Sequence, residues 1–140
     1  MVEDDDSVRR ALARVFVTAG YSVVLAANGS EGLEALGTVL RPCLVILDWK
    51  MPGVDGPGFL AGLAERPDRG SFGVIVISGE ERRIDRKISS NVLSILRKPL
   101  DPSEILGWAC PYFRAEDRSS GGLAYVPIAG AGLMGRPQYR

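Results

Sequence analysis

The residues of this chain that could do chemistry stand where apolar runs end. The sequence contains no His, so imidazole catalysis and His-containing metal sites are excluded. Reactive groups must be carboxylates, hydroxyls and lysines. Glu3 and Asp4 follow Met1-Val2, Asp48 closes CLVIL, Ser78 closes GVIVI, and Lys98 follows VLSIL within two residues. In a parallel sheet covered by helices, ligands bind outside the carboxyl ends of the strands, so these run-ends would share one edge. Gathered carboxylates raise one another's pKa unless a cation separates them. A hard, oxygen-seeking ion such as Mg²⁺ suits such a cluster. There Asp48 is placed to attack a phosphoryl group, Lys98 to pair with its oxygens as a mobile point charge, and Ser78 to donate a hydrogen bond to it. Taken singly, each position is an ordinary polar residue where a strand surfaces. The combination of acids, hydroxyl and ammonium is what argues for a site.

The elements that would position these groups are legible in outline. From Asp6 to Gly20 the residues Val8, Ala11, Leu12, Val15, Phe16 and Ala19 recur at helical spacing, and Gly20 offers a left-handed stop. Tyr21 to Ala27 is a short strand, and Asn28-Gly29-Ser30 is turn and cap chemistry before a helix over 31–40. CLVIL and GVIVI lack alternation, the mark of strands buried on both faces. A Pro/Gly-rich loop, MPGVDGPG, leads into a short helix over 58–65. Residues 80–90 are polar and predict a poor helix, 92–96 a third apolar run, and 101–112 a last helix disturbed by Pro111. Beyond residue 114 the Gly, Ser and Pro content predicts a flexible tail. Strands alternating with helices specify a doubly wound α/β sandwich with right-handed crossovers.

The stretches VEDDDSVRR, LVILDWKMPGVDG, VIVISGE and ILRKPLDPSEIL resemble, in order, the four signatures of the response-regulator receiver domain of two-component signalling. The spacings fit as well: 44 positions separate Asp4 from Asp48 and 30 separate Asp48 from Ser78. The resemblance covers roughly residues 1–110. It implies a flavodoxin-like, five-stranded parallel sheet of strand order 2-1-3-4-5, a receiver domain over 1–114, and a tail over 115–140. It implies that Asp48 is the phosphoacceptor and that Glu3, Asp4, Asp48 and the backbone carbonyl of Lys50 hold Mg²⁺. Ser78 and Lys98 would then be the switch and phosphoryl-binding residues. Pro99 would follow Lys98 through a cis peptide, and Lys50 and Glu80 would flank the acceptor as a pair that tunes the lifetime of the phosphoryl group. The donor it implies is a phosphohistidine on a histidine kinase or histidine phosphotransfer protein, with output through a further protein partner and dimerisation left open. On that reading the domain catalyses only its own phosphotransfer and dephosphorylation.

Three departures from the family pattern stand out. Only Met1 and Val2 precede the acidic pair, so the first strand is expected to be truncated, or the start to be set too far downstream. Ile95 occupies the position where the family often carries a switching aromatic. Ser78 and Lys98 are only twenty positions apart, about two fewer than usual. A docking module that keeps the fold without regulated phosphorylation is therefore the alternative. A phosphohydrolase with an aspartyl nucleophile is disfavoured, because Lys50 stands where the dehalogenase-like enzymes have their acid. Gly53, Gly56 and Gly58 lack dinucleotide-binding spacing.

The composition sets bounds. At 140 residues there is room for one domain of ordinary size. Seventeen basic residues balance seventeen acidic ones, so no general attraction to nucleic acid or anionic membrane is expected. The apolar runs fall far short of the roughly 20 residues a bilayer span needs. With no visible leader and two separated cysteines, Cys43 and Cys110, buried thiols in a cytoplasmic protein are expected.

Overall fold

The computed structural model describes residues 6–39, 41–51, 53–80, 90–116 and 125–129, with side chains described between 10 and 109. The elements are α1 (Asp6–Thr18), β1 (Ser22–Ala26), α2 (Gly29–Ala35), β2 (Cys43–Asp48), α3 (Gly56–Ala64), β3 (Phe72–Ser78), β4 (Val92–Arg97), α4 (Pro102–Glu116) and β5 (Tyr125–Ala129), with a 3-10 turn at Arg69–Ser71. The five strands are all parallel, in the spatial order β1-β5-β2-β3-β4.

The double burial expected of the central strands is present. Every residue of β2 and β3 is buried. Their side chains alternate between two cores even though the sequence does not alternate. Leu44, Ile46, Ile75 and Ile77 join Leu12 and Phe16 of α1 and Ile105 and Ala109 of α4 on one face. Cys43, Val45, Leu47, Val74 and Val76 join Leu36, Val39 and the α3 residues Phe59, Leu60 and Leu63 on the other. Helix α1 buries Leu12 and Phe16, flanked by Ala13 and Val17 rather than by the expected Val15 and Ala19. It stops as expected. Gly20 takes φ +93°, the Tyr21 N–H donates to Phe16 O at 3.0 Å, and the Gly20 N–H donates to Val17 O at 3.0 Å, a Schellman closure.

The expected strand order holds with one substitution of occupant. The place reserved for a first strand, between β1 and β2, is filled by β5 from the far end of the chain. The sequence reading therefore needs correction at one point: residues 125–129 are a central strand and not part of a tail. The signal was obscured because YVPIA is short, contains a proline, and lies among glycines. Residues 1–5, including Met1 and Val2, lie outside the described residues.

Two smaller expectations also change. Helix α4 runs through Pro111 to Glu116. The carbonyl that loses its partner there belongs to Gly107, four residues earlier, which carries no side chain. Strand β4, read as a third apolar run, is an edge strand with Leu93 and Ile95 about 40% exposed (41% and 39%). Of the segment expected to form a poor helix, 80–90, residues 81–89 lie outside the described residues.

Candidate functional site

Strand β3 organises the site. On one flank it pairs Ile77 with Asp48, and one residue further the Trp49 N–H donates to Ile77 O at 3.0 Å. On the other flank it pairs Ser78 with Arg97, and the Lys98 N–H donates to Ser78 O at 3.0 Å. One strand thus sets the backbone of the acid, the hydroxyl and the ammonium together at the carboxyl edge. The parallel topology makes this unavoidable once the three runs are adjacent.

The loop after Asp48 is held in turn by α3. Asp55 caps that helix by accepting from the Gly58 N–H at 2.9 Å, and the Gly56 N–H donates to Trp49 O at 3.1 Å. A Cβ at Gly56 would stand 2.9 Å from Trp49 Cα, so only glycine allows the helix start to lie this close to the acceptor loop. Trp49 itself is 9% exposed, a packing residue. The role of Gly56 was missed. Its only sequence signal is a glycine directly after a capping Asp.

Asp48 is 2% exposed. Its Oδ1 accepts from the Lys50 N–H at 3.3 Å and its Oδ2 from Lys98 Nζ at 3.3 Å. Burial pushes its pKa above the ordinary carboxylate value, and the Lys98 charge and the Lys50 hydrogen bond offset this only in part. The buried carboxylate is therefore short of positive charge. The consequence for stability has a definite sign. Below the ordinary carboxylate range Asp48 is protonated in both folded and unfolded chains and costs nothing. As pH rises, the unfolded chain ionises first, and the contribution of Asp48 to stability is lost as pH passes the raised folded value. Asp48→Asn is accordingly expected to raise Tm at neutral pH by a few degrees, roughly 1 kcal/mol. The gain should shrink below pH 4, as thermal melts across pH would show.

Ser78 is 3% exposed, and its Oγ accepts from the Glu80 N–H at 3.2 Å. Lys50 Nζ pairs with Glu80 Oε1 at 2.7 Å across the mouth of the site, with both side chains more than half exposed. The Lys98-Pro99 peptide is cis. Ile95 lies on the exposed edge strand and carries no aromatic ring. Burial pushes the Cys43 thiol well above its usual range, which makes it inert; the side chain of Cys110 lies outside the description.

Glu3 and Asp4 lie outside the described residues, and the remaining acids make no cluster able to hold a metal among the described residues. The direction of α1 is informative all the same. It closes by a tight turn into the amino end of β1 and packs along the sheet, so its first turn stands at the carboxyl edge with Asp48. In sequence, Asp4 is two residues before that helix.

Comparisons with known proteins agree with this arrangement. The family model for the response regulator receiver domain matches residues 1–108. The chain is 33% identical over 105 residues to Sporulation initiation phosphotransferase F of Bacillus subtilis, covering 75% of this chain and 84% of that protein. It is 31% identical over 107 residues to Two-component response regulator ORR6 of Oryza sativa, covering 73% and 63%. It spans only 22% of the length of the DNA-binding transcriptional regulator NtrC of Escherichia coli, to which it is 33% identical. Among solved structures, a CheY-like receiver domain protein of Methanospirillum hungatei superposes with TM-score 0.70 at 19% identity, covering 81% of this chain and 93% of that one. A putative response regulator of Chloroflexus aurantiacus does so with TM-score 0.66 at 26% identity, over the same shares. No helix among the described residues is long and apolar enough to cross a membrane. Sheet, site edge and family match converge: the chain belongs to the response regulator receiver domain family of two-component signalling.

Proposed function

We propose that this domain is a phosphorylation-dependent switch. Asp48 accepts a phosphoryl group from a phosphohistidine of a histidine kinase or histidine phosphotransfer protein, in a Mg²⁺-dependent reaction. The observation that carries this reading is the buried Asp48 carboxylate with Lys98 Nζ at 3.3 Å on the carboxyl edge of the sheet. In the transfer, an Asp48 oxygen bonds to phosphorus as the N–P bond of the donor breaks, and that bond's electron pair leaves with the imidazole. The partner supplies the imidazole, which suits a receiving chain without His.

The donor set fits a hard cation. The Asp48 carboxylate uses two of about four acceptor positions on described protein groups, which leaves oxygen lone pairs for a cation. Asp48, the Lys50 carbonyl, Glu3 and Asp4 would hold the ion, the last three by family resemblance. Bound Mg²⁺ neutralises charge on the phosphoryl oxygens. Lys98 pairs with those oxygens from the other side, and the Ser78 O–H donates to them. The phosphoryl group adds up to about two negative charges, and Ser78 and its loop respond by a shift between two packings. Output follows through a protein partner. Acetyl phosphate and Mg²⁺, read by intact mass, test the proposal. The protein should gain one labile phosphoryl group, and Asp48→Ala should gain none. No uptake by the wild type, or equal uptake by the variant, would sink it.

The Lys50–Glu80 pair bridges the loops on either side of Asp48, where it obstructs water approaching the phosphoryl group. Exposed pairs of this kind contribute about 0–1 kcal/mol to stability. Lys50→Ala should leave the melt unchanged within about 0.5 kcal/mol and speed loss of the phosphoryl group about two- to fivefold. An unchanged decay rate, followed by mass, would remove the pair from the account.

A further inference from the structure

A second helix reaches the acceptor loop, and it does so through a glycine. Gly29 opens α2 and is buried. A Cβ built on it would stand 2.3 Å from Val54 O, 2.8 Å from Val54 Cγ1 and 3.0 Å from Val54 C. Two of these are backbone atoms, which no change of rotamer can move aside. The approach is closer than the one at Gly56, where the nearest atom is 2.9 Å away. Backbone conformation does not call for glycine here, since Gly29 does not take a positive φ, and glycine weakens a helix relative to alanine. The close contact is what needs it.

Neither partner can give way. The start of α2 is fixed by a reciprocal cap: Asn28 Oδ1 accepts from the Glu31 N–H at 2.9 Å, and Glu31 Oε2 accepts from the Ala27 N–H at 2.8 Å. Further along, Leu33 lies over Gly62 of α3, where a Cβ would stand 2.7 Å from Leu33 Cδ1, and Leu36 is fully buried. Val54 also meets α3, because a Cβ at Gly58 would stand 3.1 Å from Val54 Cγ1. Val54 is wedged between the first turns of two helices.

What the wedge holds is the peptide beside Asp48. Val54 is followed by Asp55, the cap of α3, and then by Gly56, whose N–H donates to Trp49 O at 3.1 Å. That carbonyl and the Lys50 N–H belong to one planar peptide unit, and the Lys50 N–H donates to Asp48 Oδ1 at 3.3 Å. We propose that Gly29 is a positioning residue of the phosphoryl site. Its bare backbone lets α2 seat Val54, and through Gly56 and the Trp49–Lys50 peptide this sets the angle of the Asp48 carboxylate. Gly29 touches no reacting atom. The inference rests on the reading of Asp48 as acceptor. A group that orients a metal-holding carboxylate acts on metal affinity as well as on rate.

Gly29→Ala in the full chain tests this in two ways. In metal-free protein, hydrogen exchange at the Lys50 and Gly56 amides should quicken about tenfold. Exchange at the Lys98 amide, which donates to Ser78 O on the other flank of β3, should not change. With acetyl phosphate, the Mg²⁺ concentration giving half-maximal uptake should rise about tenfold, measured at a temperature where circular dichroism shows the variant folded. A merely structural role would lower Tm and leave that concentration in place. Gly62→Ala, which crowds only the Leu33 side chain, is the control for that case and should lower Tm without either effect. If Gly29→Ala does not fold, Val54→Ala decides: it removes the Cγ1 that both glycines face, and exchange and Mg²⁺ requirement should shift in the same directions. No uptake by the wild type would overturn the phosphoryl reading. Unchanged exchange at Lys50 and Gly56 in the folded variant, or an unchanged Mg²⁺ requirement beside normal wild-type uptake, would overturn the role of Gly29.

Discussion

A chain ending at Glu116 is expected to lose its cooperative thermal transition. Removing β5 takes the middle out of a five-stranded sheet, leaving, among the described residues, β1 paired with no strand and β2 paired on one flank only. Strands β1 and β2 both lie under helices, so water cannot satisfy the exposed ladder without those helices moving. Five residues of paired, covered backbone stand against a total stability of about 5–15 kcal/mol. The expected loss is on the order of 5 kcal/mol or more, enough to unfold the domain at ordinary temperature. Circular dichroism melts of the two chains side by side would show it. A truncated chain that melts like the full one would mean that another segment fills the slot.

The second large effect is expected at Gly56. A methyl group there would press on Trp49 Cα at 2.9 Å and on Trp49 O at 3.0 Å, both backbone atoms with Asp48 as the preceding residue. Neither can yield without moving the acceptor loop or the start of α3. Gly56→Ala should cost about 1–3 kcal/mol by overpacking and lower the rate of phosphoryl uptake roughly tenfold, as a small displacement of a reacting group does. Gly70→Ala, where nothing lies within 4 Å, is the control and should change neither. A Gly56→Ala protein with wild-type melting and uptake would remove the pinning of this loop by α3 from the account.

How much could be read before folding depended on whether a signal was local. CLVIL and GVIVI announced β2 and β3 because a strand covered on both faces needs an unbroken apolar run. The residue ending each run then had to lie at the carboxyl edge, which located Asp48 and Ser78, with Lys98 just past the end of VLSIL. The cap at Asn28, whose Oδ1 accepts from the Glu31 N–H at 2.9 Å, was legible for the same reason. What failed was nonlocal. Nothing within YVPIA says that its partners are residues 22–26 and 43–46, about a hundred positions and eighty positions away, and Pro127 argued against a central strand altogether. The exposure of Leu93 and Ile95 was equally hidden, because an apolar run does not reveal which strand will lie at the edge. Gly56 was invisible because a glycine's close neighbours are known only once the fold brings them together.

The central claim is that Asp48 is the residue that takes the phosphoryl group. The most direct measurement is borohydride reduction of the protein after exposure to acetyl phosphate and Mg²⁺, followed by peptide mapping. An acyl phosphate is reduced to an alcohol, so homoserine should be found at position 48 and at no other Asp. Homoserine at Asp55 or another carboxylate, or none anywhere in protein that has gained phosphoryl mass, would contradict the account.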